Sequence, residues 1–121
     1  MEEVSENNEA VPKVQVSRIK SEGVKLTFNN DGEEIARVFL YFIRNDLHQQ
    51  PYALVEDLFV QEEYRGQSLG SKLMLAAIEE AKRNGCYKIL ATSRNEREKV
   101  HEFYRKSGFK EWGKEFKMGL I

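Results

Sequence analysis

One stretch, residues 53–84, restricts the fold of this chain more than any other. Residues 53–60 form an apolar, branched and aromatic run, which predicts a strand. Residues 68–84 predict a helix, because their apolar residues recur on one side. Those residues are Leu69, Leu73, Met74, Ala77, Ile78 and Ala81. A strand that leads through a short loop into a helix predicts an α/β arrangement around this segment.

The loop between the predicted strand and helix has the composition of an anion site. Gly66 and Gly70 allow a close backbone approach, and Arg65 adds a positive charge. Ser68 is a favoured residue at a helix start and keeps its backbone N–H. Free N–H groups and the helix dipole favour phosphate there. Ordinary turn chemistry explains two glycines equally well, and the loop lacks the Gly-Lys-Ser/Thr ending of a Walker loop.

Two adjacent carboxylates, Glu56 and Asp57, lie in the predicted strand 53–60. Neighbouring strand residues point to opposite faces, so the two cannot act together on one glycosidic bond. A carboxylate in an apolar strand either forms an ion pair or cap, or has a raised pKa that suits a general base. The residues alone leave both alternatives open.

The rest of the chain predicts a mixed sheet with helices on its faces. Alternating or apolar runs predict strands at residues 13–20, 24–28, 34–44, 53–60, 87–92, 109–112 and 115–120. A second helix is predicted at residues 95–107. The Asn-Asn-Asp-Gly sequence at 29–32 predicts a hairpin, and the very apolar strand 34–44 should be covered on both faces.

Composition predicts one soluble domain, residues 13–121, after a disordered acidic tail at residues 1–12. The tail has four glutamates and no Lys or Arg, whereas the remainder has 16 acids and 19 bases. This small excess of positive charge does not indicate a nucleic-acid partner. No run is long enough to span a membrane and no secretory signal is visible, so we expect a cytoplasmic protein. One cysteine and two histidines make a metal site an unfavoured hypothesis.

Three further side chains are candidates for chemistry. Tyr104 lies on the apolar face of the second predicted helix, where a core tyrosine is the simplest interpretation. His101 lies one turn earlier and could reach the same neighbourhood. Cys86 has no base beside it in the sequence, which favours a buried, inert thiol.

Three motifs in this order resemble the GNAT superfamily of acyl-CoA-dependent N-acetyltransferases. They are EDLFV at 56–60, YRGQSLG at 64–70 and FYRKSGF at 103–109. The second resembles the (Arg/Gln)-x-x-Gly-x-(Gly/Ala) signature of that family, with Ser68 in place of the usual middle glycine. The third resembles its Phe-Tyr-x-x-x-Gly-Phe motif.

The resemblance implies a mixed, mostly antiparallel sheet of about six to seven strands with two main helices, and acetyl-CoA as acyl donor. It implies that the fourth and fifth strands splay apart to admit the pantetheine arm, and that the pyrophosphate binds the loop. The implied cofactor-binding residues are Leu58, Phe59, Val60, Arg65, Gly66, Gln67, Ser68, Leu69, Gly70, Ser71, Asn95 and Tyr104.

The resemblance also implies catalytic roles. Glu56 matches a position that takes the proton from the attacking amine, and Tyr104 matches a tyrosine that protonates the departing thiolate. Asp57 is the reserve base, because a strand bulge would change which carboxylate faces the cleft. The implied function is acetyl transfer to a primary amine of a small molecule or a protein. The alternatives are a non-catalytic acyl-CoA sensor and an interaction module without cofactor.

One departure from the family pattern concerns the acceptor site. Many members place two helices between the first two strands, but here only residues 21–23 separate the predicted strands 13–20 and 24–28. The acceptor site is therefore either open, or completed by a second subunit of a homodimer or by a protein substrate.

Overall fold

The computed structural model describes residues 11–121, which form one four-stranded sheet and two helices. The predicted acidic tail lies mostly outside the described residues. The elements are β1 (Glu22–Asn30), β2 (Glu33–Ile43), β3 (Tyr52–Val60), a 3₁₀ turn (Glu62–Tyr64), α1 (Leu69–Arg83), β4 (Ile89–Ala91) and α2 (Glu98–Lys106). The strand order is β1-β2-β3-β4, with β4 parallel to β3 and the other pairs antiparallel.

The predicted hairpin at residues 29–32 is confirmed. β1 and β2 pair antiparallel, with Phe28 opposite Ala36 and Asn30 opposite Glu33. The two turn residues, Asp31 and Gly32, have φ angles of 53° and 82°. A two-residue turn with both φ angles positive matches the right-handed twist of the flanking strands, which is why Asp-Gly is favoured there.

The core lies between one face of the sheet and the apolar side of α1. Val38 and Leu40 of β2 are fully buried against Met74 and Ala77 of α1. The prediction that β2 is covered on both faces is wrong. Tyr41 on the opposite face is 41% exposed, and no helix packs over it in the described part of the chain. β2 is apolar on both faces, but only one face is buried beneath α1.

Both helices are shorter than the sequence predicted. α1 begins at Leu69 rather than residue 68, and α2 begins at Glu98 rather than residue 95. Asn95 therefore lies in a turn before α2 and is exposed. Neither helix among residues 11–121 is long and apolar enough to cross a bilayer.

The expected six to seven strands are reduced to four. Residues 13–20 and 109–121 are not paired as strands in this structure, and β4 covers only Ile89–Ala91. Alternation of apolar and polar residues shows what a strand would bury. It does not supply the neighbouring strand whose backbone groups must pair with it. Apart from Phe109, which packs partly buried against the core, the side chains of both unpaired segments are exposed.

Candidate functional site

A gap opens in the sheet where β3 and β4 stop pairing. The two strands pair only over Ala53 with Ile89, Leu54 with Leu90, and Val55 with Ala91. β3 then continues to Val60, whereas the chain after Ala91 turns away toward α2. Backbone groups of residues 56–60 that face this β3–β4 gap therefore have no strand partner among the described residues. β3 and β4 correspond to the fourth and fifth strands of the sequence analysis, residues 53–60 and 87–92, for which the resemblance implied a splay.

A bulge in β3 places both carboxylates on the open face of the sheet. Phe39 lies opposite Glu56 and Arg37 opposite Phe59, so two residues of β3 face the single residue Val38. Asp57 lies in this bulge and has a positive φ angle of 57°. The expectation that Glu56 and Asp57 point to opposite faces is therefore wrong, because the bulge interrupts the alternation.

Asp57 is held by an arginine on the neighbouring strand. Its Oδ2 accepts hydrogen bonds from Arg37 Nη2 at 3.1 Å and Arg37 Nε at 3.3 Å. The same guanidinium stacks 4.9 Å from the ring centre of Phe59. Within residues 11–121, Glu56 has no such ion pair or hydrogen bond. The arrangement leaves Glu56 as the carboxylate available at the gap.

Tyr104 of α2 lies on the other side of the β3–β4 gap. Its hydroxyl donates a hydrogen bond to the backbone carbonyl of Thr92, the first residue after β4, at 3.1 Å. Burial raises the pKa of Tyr104, the charge of Arg97 opposes this rise, and a still smaller effect of Glu56 adds to it. The phenol is therefore protonated at neutral pH.

The loop after β3 ends in a helix start with free backbone donors. The backbone N–H of Lys72 donates to the carbonyl of Ser68 at 3.0 Å, which is the first helical bond of α1. The preceding N–H groups of Leu69, Gly70 and Ser71 have no acceptor in the described residues, as expected in the first turn of a helix. Three free donors at the positive end of a helix dipole suit an anion.

A cavity of about 180 Å³ lies over these donors. Its lining residues are Val60, Tyr64, Arg65, Gly66, Ser68, Leu69, Gly70, Ser71 and Phe103. A side chain at Gly70 would meet only Val60 Cγ2, at 3.9 Å, so the space above the helix start is open. We call this the loop cavity.

Arg65 supports the loop cavity rather than standing free in solvent. Its Nε donates to the carbonyl of Val60 at 2.8 Å, and its guanidinium lies 5.5 Å from the ring centre of Phe59. Gly66 has a φ angle of 84°, which only glycine adopts without strain. The chain is thus folded tightly between β3 and α1.

Ser68 occupies a backbone conformation that favours glycine. Its φ angle is 65° and its hydroxyl does not cap the helix. Ser68 therefore holds the N-cap position that the sequence favoured, but its side chain makes no capping hydrogen bond. A left-handed conformation explains why the family signature has glycine there, since a Cβ is strained in that region.

The other sequence candidates lie outside the gap and the cavity. Asn95 and Gln67 are exposed and form no hydrogen bond in the described part of the chain. His101 Nε2 lies 2.8 Å from the carbonyl oxygen of Arg94, so it braces the loop before α2. Burial raises the pKa of the partly buried Cys86 thiol, against a smaller effect of Arg44, as expected for an unreactive cysteine.

Four residues of the site received no assigned role in the sequence analysis. Phe103 and Tyr64 line the loop cavity, Thr92 receives the Tyr104 hydroxyl, and Arg37 fixes Asp57. Phe103 belongs to the FYRKSGF motif, so its position beside Tyr104 was the available signal. No sequence signal marks Thr92 or Arg37, because both act across strands.

Comparison with known proteins gives a consistent result. A family model described as the acetyltransferase (GNAT) family matches residues 4–109. A glucosamine 6-phosphate N-acetyltransferase of Trypanosoma brucei brucei is 35% identical over 66 residues, which cover 54% of this chain and 43% of that protein. The chain thus aligns with less than half of this relative.

Two solved structures share the fold. An acetyltransferase of Trypanosoma brucei superposes with a TM-score of 0.75 at 26% identity, covering 81% of this chain and 69% of that one. A protein described as a transcriptional regulator from Bacillus halodurans C-125 superposes with a TM-score of 0.75 at 29% identity. The match covers 81% of this chain and 66% of that one.

The strain at Ser68 generates a stability prediction. Replacing Ser68 by Gly should raise the free energy of unfolding by about 1 kcal/mol, because glycine adopts positive φ without the Cβ penalty. Ser71→Gly is the matched control; it lies within the first turn of α1 and should destabilise by about 0.5–1 kcal/mol. Urea unfolding of the three proteins measures both changes. A Ser68→Gly protein less stable than the parent would contradict the assigned strain.

Proposed function

This chain belongs to the acetyltransferase (GNAT) family, and from that premise we propose that it transfers an acetyl group from acetyl-CoA to a primary amine. The observation that carries the proposal is geometric. Glu56 is the first residue of β3 after its pairing with β4 ends, and the Tyr104 hydroxyl lies 3.1 Å from the carbonyl of Thr92 at the end of β4, so a candidate base and a candidate acid border one opening. A helix start with free backbone donors follows the same strand.

The loop cavity suits the pyrophosphate of coenzyme A. The N–H groups of Leu69, Gly70 and Ser71 would donate to its oxygens, and Arg65 would contribute positive charge nearby. The loop residues Gly66, Gln67 and Ser68 would hold the backbone in place around it.

The pantetheine arm would run along the unpaired edge of β3. Backbone groups of Leu58, Phe59 and Val60 on that edge lack a strand partner in the described structure, so an extended amide chain could pair with them as a strand would. Because Arg65 already occupies the Val60 carbonyl, the available acceptors lie earlier along β3. Asn95 is exposed and contributes only if the loop before α2 moves.

The chemistry divides among three groups. Glu56 accepts a proton from the amine, directly or through water, so that a neutral nitrogen attacks the thioester carbon and forms the C–N bond. Backbone N–H groups of β3 donate to the tetrahedral oxyanion. As the C–S bond breaks, the Tyr104 hydroxyl leaves the Thr92 carbonyl and gives its proton to the sulfur. The nitrogen, positively charged after its attack, loses its remaining extra proton to the Tyr104 phenolate, which restores the hydroxyl and leaves the amide.

Asp57 is the weaker candidate for the base. Its Oδ2 already accepts hydrogen bonds from two nitrogen atoms of Arg37, which makes this oxygen less accessible to a substrate proton. We therefore assign Asp57 to the ion pair with Arg37 rather than to proton transfer.

The acceptor is a primary amine, and amino-sugar phosphates are the first class to test. The Trypanosoma brucei brucei relative is named for glucosamine 6-phosphate. The open face of the sheet, with the stacked rings of Phe39 and Tyr41 whose centres are 6.4 Å apart, leaves room for larger amines as well. A panel of amino sugars, aminoglycosides, polyamines and peptides, with thiol release as readout, identifies the class. Acetyl-CoA binding without turnover on any amine would favour the non-catalytic sensor.

Binding of acetyl-CoA tests the loop cavity. Gly70→Asp should reduce affinity by at least about 100-fold, because a carboxylate would stand beside the phosphates at the helix start. Gly70→Ala is the matched control and should bind nearly as the parent does, since the nearest atom to the added Cβ is 3.9 Å away. Titration calorimetry measures both. Unchanged binding by Gly70→Asp would exclude the loop cavity as the phosphate site.

The base is tested by removing each carboxylate in turn. Glu56→Gln should lower kcat by about 10²–10⁴ at neutral pH. The deficit should shrink as pH rises toward the pKa of the amine, because the amine then loses its proton to solvent. Asp57→Asn should lower kcat less than about tenfold, since it removes only a solvent-exposed ion pair. Parallel pH profiles of the parent and Glu56→Gln would exclude Glu56 as the base.

The acid is tested at Tyr104. Tyr104→Phe should lower kcat by about 10²-fold or more and leave the KM for the amine nearly unchanged, because the ring and its packing remain. In the parent, the raised pKa keeps the phenol protonated, so its ionisation should not reduce kcat below about pH 10. Tyr87→Phe, at a 40% exposed tyrosine outside the site, is the control. Equal turnover by Tyr104→Phe and the parent would contradict the acid role.

A further inference from the structure

A second cavity, of about 260 Å³, lies at the C-terminal end of α1, whereas the loop cavity lies at its start. We call it the helix-end cavity. Its lining residues are Lys20, Glu22, Phe42, Arg44, Pro51 and Asn84. α1 has 15 residues, so about 22 Å separate its two ends. The helix-end cavity is therefore distinct from the loop cavity, and the proposed reaction uses none of its residues.

The helix-end cavity exists because the sheet continues past the end of α1. Val24 and Leu40 lie opposite each other in the β1–β2 pairing and pack in the core. The next pair on the same face of the sheet is Glu22 with Phe42. α1 ends at Arg83, and only its cap residue reaches this level of the sheet. The Glu22–Phe42 pair therefore lines a cavity instead of packing beneath the helix.

The floor of the helix-end cavity is apolar and its rim is charged. Phe42 and Pro51 are buried, whereas Lys20, Glu22 and Arg44 are exposed. Within residues 11–121, none of these three charged side chains forms an ion pair. Opposite charges that border one cavity without contacting each other leave space for a ligand between them. An apolar floor with a few convergent polar groups is typical of small-molecule sites.

We propose that the helix-end cavity binds a free aliphatic α-amino acid. The cations of Arg44 and Lys20 would bind its carboxylate, because a planar guanidinium donates two parallel hydrogen bonds to such a group. The Glu22 carboxylate would accept hydrogen bonds from the ammonium group. The aliphatic side chain would lie on Phe42 and Pro51, where it loses contact with water.

The end of α1 favours an ammonium group in the same cavity. The C-terminal end of a helix carries a partial negative charge, which attracts cations. The cations of its last turn, Lys82 and Arg83, are already paired with Glu79 and Glu80. Asn84 Nδ2 donates to the Glu80 carbonyl at 2.8 Å, and its Oδ1 has no donor in the described part of the chain. A ligand ammonium would supply that donor.

The volume and charge of the helix-end cavity limit the ligand. A cavity of about 260 Å³ holds only a small molecule, because pockets for drug-sized ligands measure about 300–1,000 Å³. Two cations line it, so a free carboxylate is favoured over a carboxyl group that belongs to a peptide bond. A free amino acid therefore fits this cavity better than a peptide segment or coenzyme A does.

Titration calorimetry of the full chain with three leucine derivatives tests the charged contacts. L-Leucine should bind with a dissociation constant of about 1 mM or lower. L-Leucinamide lacks the carboxylate and N-acetyl-L-leucine lacks the ammonium, so each should bind at least about tenfold more weakly. No saturable binding of L-leucine, or equal binding of the three compounds, would overturn the proposal.

Two variants identify the groups that hold the ligand. Arg44→Gln should weaken L-leucine binding by about tenfold or more and remove the preference for L-leucine over L-leucinamide. Glu22→Gln should remove the preference for L-leucine over N-acetyl-L-leucine. Both side chains are exposed, so both variants should keep the circular dichroism of the parent.

Lys82→Gln is the matched control for the loss of a positive charge. Lys82 lies in the last turn of α1 but does not line the cavity. Its replacement should change L-leucine binding by less than about twofold. Equal losses from Arg44→Gln and Lys82→Gln would show a non-specific charge effect and would overturn the assigned contacts.

Nuclear magnetic resonance separates this site from the proposed amine-acceptor site, since L-leucine is itself a primary amine. L-Leucine should shift the amide signals of Phe42 and Asn84 and leave those of Glu56 and Gly70 unchanged. Shifts confined to Glu56 and its neighbours would place L-leucine at the β3–β4 gap and overturn the proposal. None of these titrations uses acetyl-CoA or turnover, so the result stands apart from the proposed function.

Discussion

The candidate site depends on one interruption in the sheet, the loss of pairing between β3 and β4 after three residues. Parallel strands that stayed paired would satisfy each other's backbone groups and leave no opening. Because β4 ends at Ala91 while β3 continues to Val60, the β3 edge is left with free donors and acceptors beside Tyr104. The gap is thus a place in an otherwise regular sheet where two neighbouring strands no longer form hydrogen bonds with each other.

Two strained residues adapt the regular structure to this opening. Asp57 takes a positive φ angle so that β3 can bulge against β2, and Ser68 takes one so that α1 can start directly beside the loop. Arg37 donates a hydrogen bond to the Asp57 carboxylate at the bulge. Arg65 donates a hydrogen bond to the Val60 carbonyl in the segment that leads to α1. Strain at such positions is tolerated where surrounding contacts outweigh it, and it is common at functional sites.

Local sequence was a good guide to elements whose information is local. The Asp-Gly turn, the strand 53–60 and the one-sided helix that follows it were predicted within a residue or two. Prediction from local sequence failed for strands whose partner strands lie far away along the chain. Residues 13–20 and 109–121 have the alternation of strands but no neighbour in this structure. The orientation of Glu56 and Asp57 was also mispredicted, because a bulge depends on the register between two strands.

The sequence by itself determined the order strand, glycine-containing loop, helix, and the presence of Glu56 and Tyr104 at separated positions. These follow from side-chain chemistry and short-range periodicity. Only the tertiary structure decided that Asp57 is paired with Arg37, that Glu56 has no ion pair in the described residues, and that the Tyr104 hydroxyl reaches the Thr92 carbonyl at the end of β4. The physical reason is that strand register and the parting of two strands arise from contacts between residues about 20 to 50 positions apart, which no local pattern encodes.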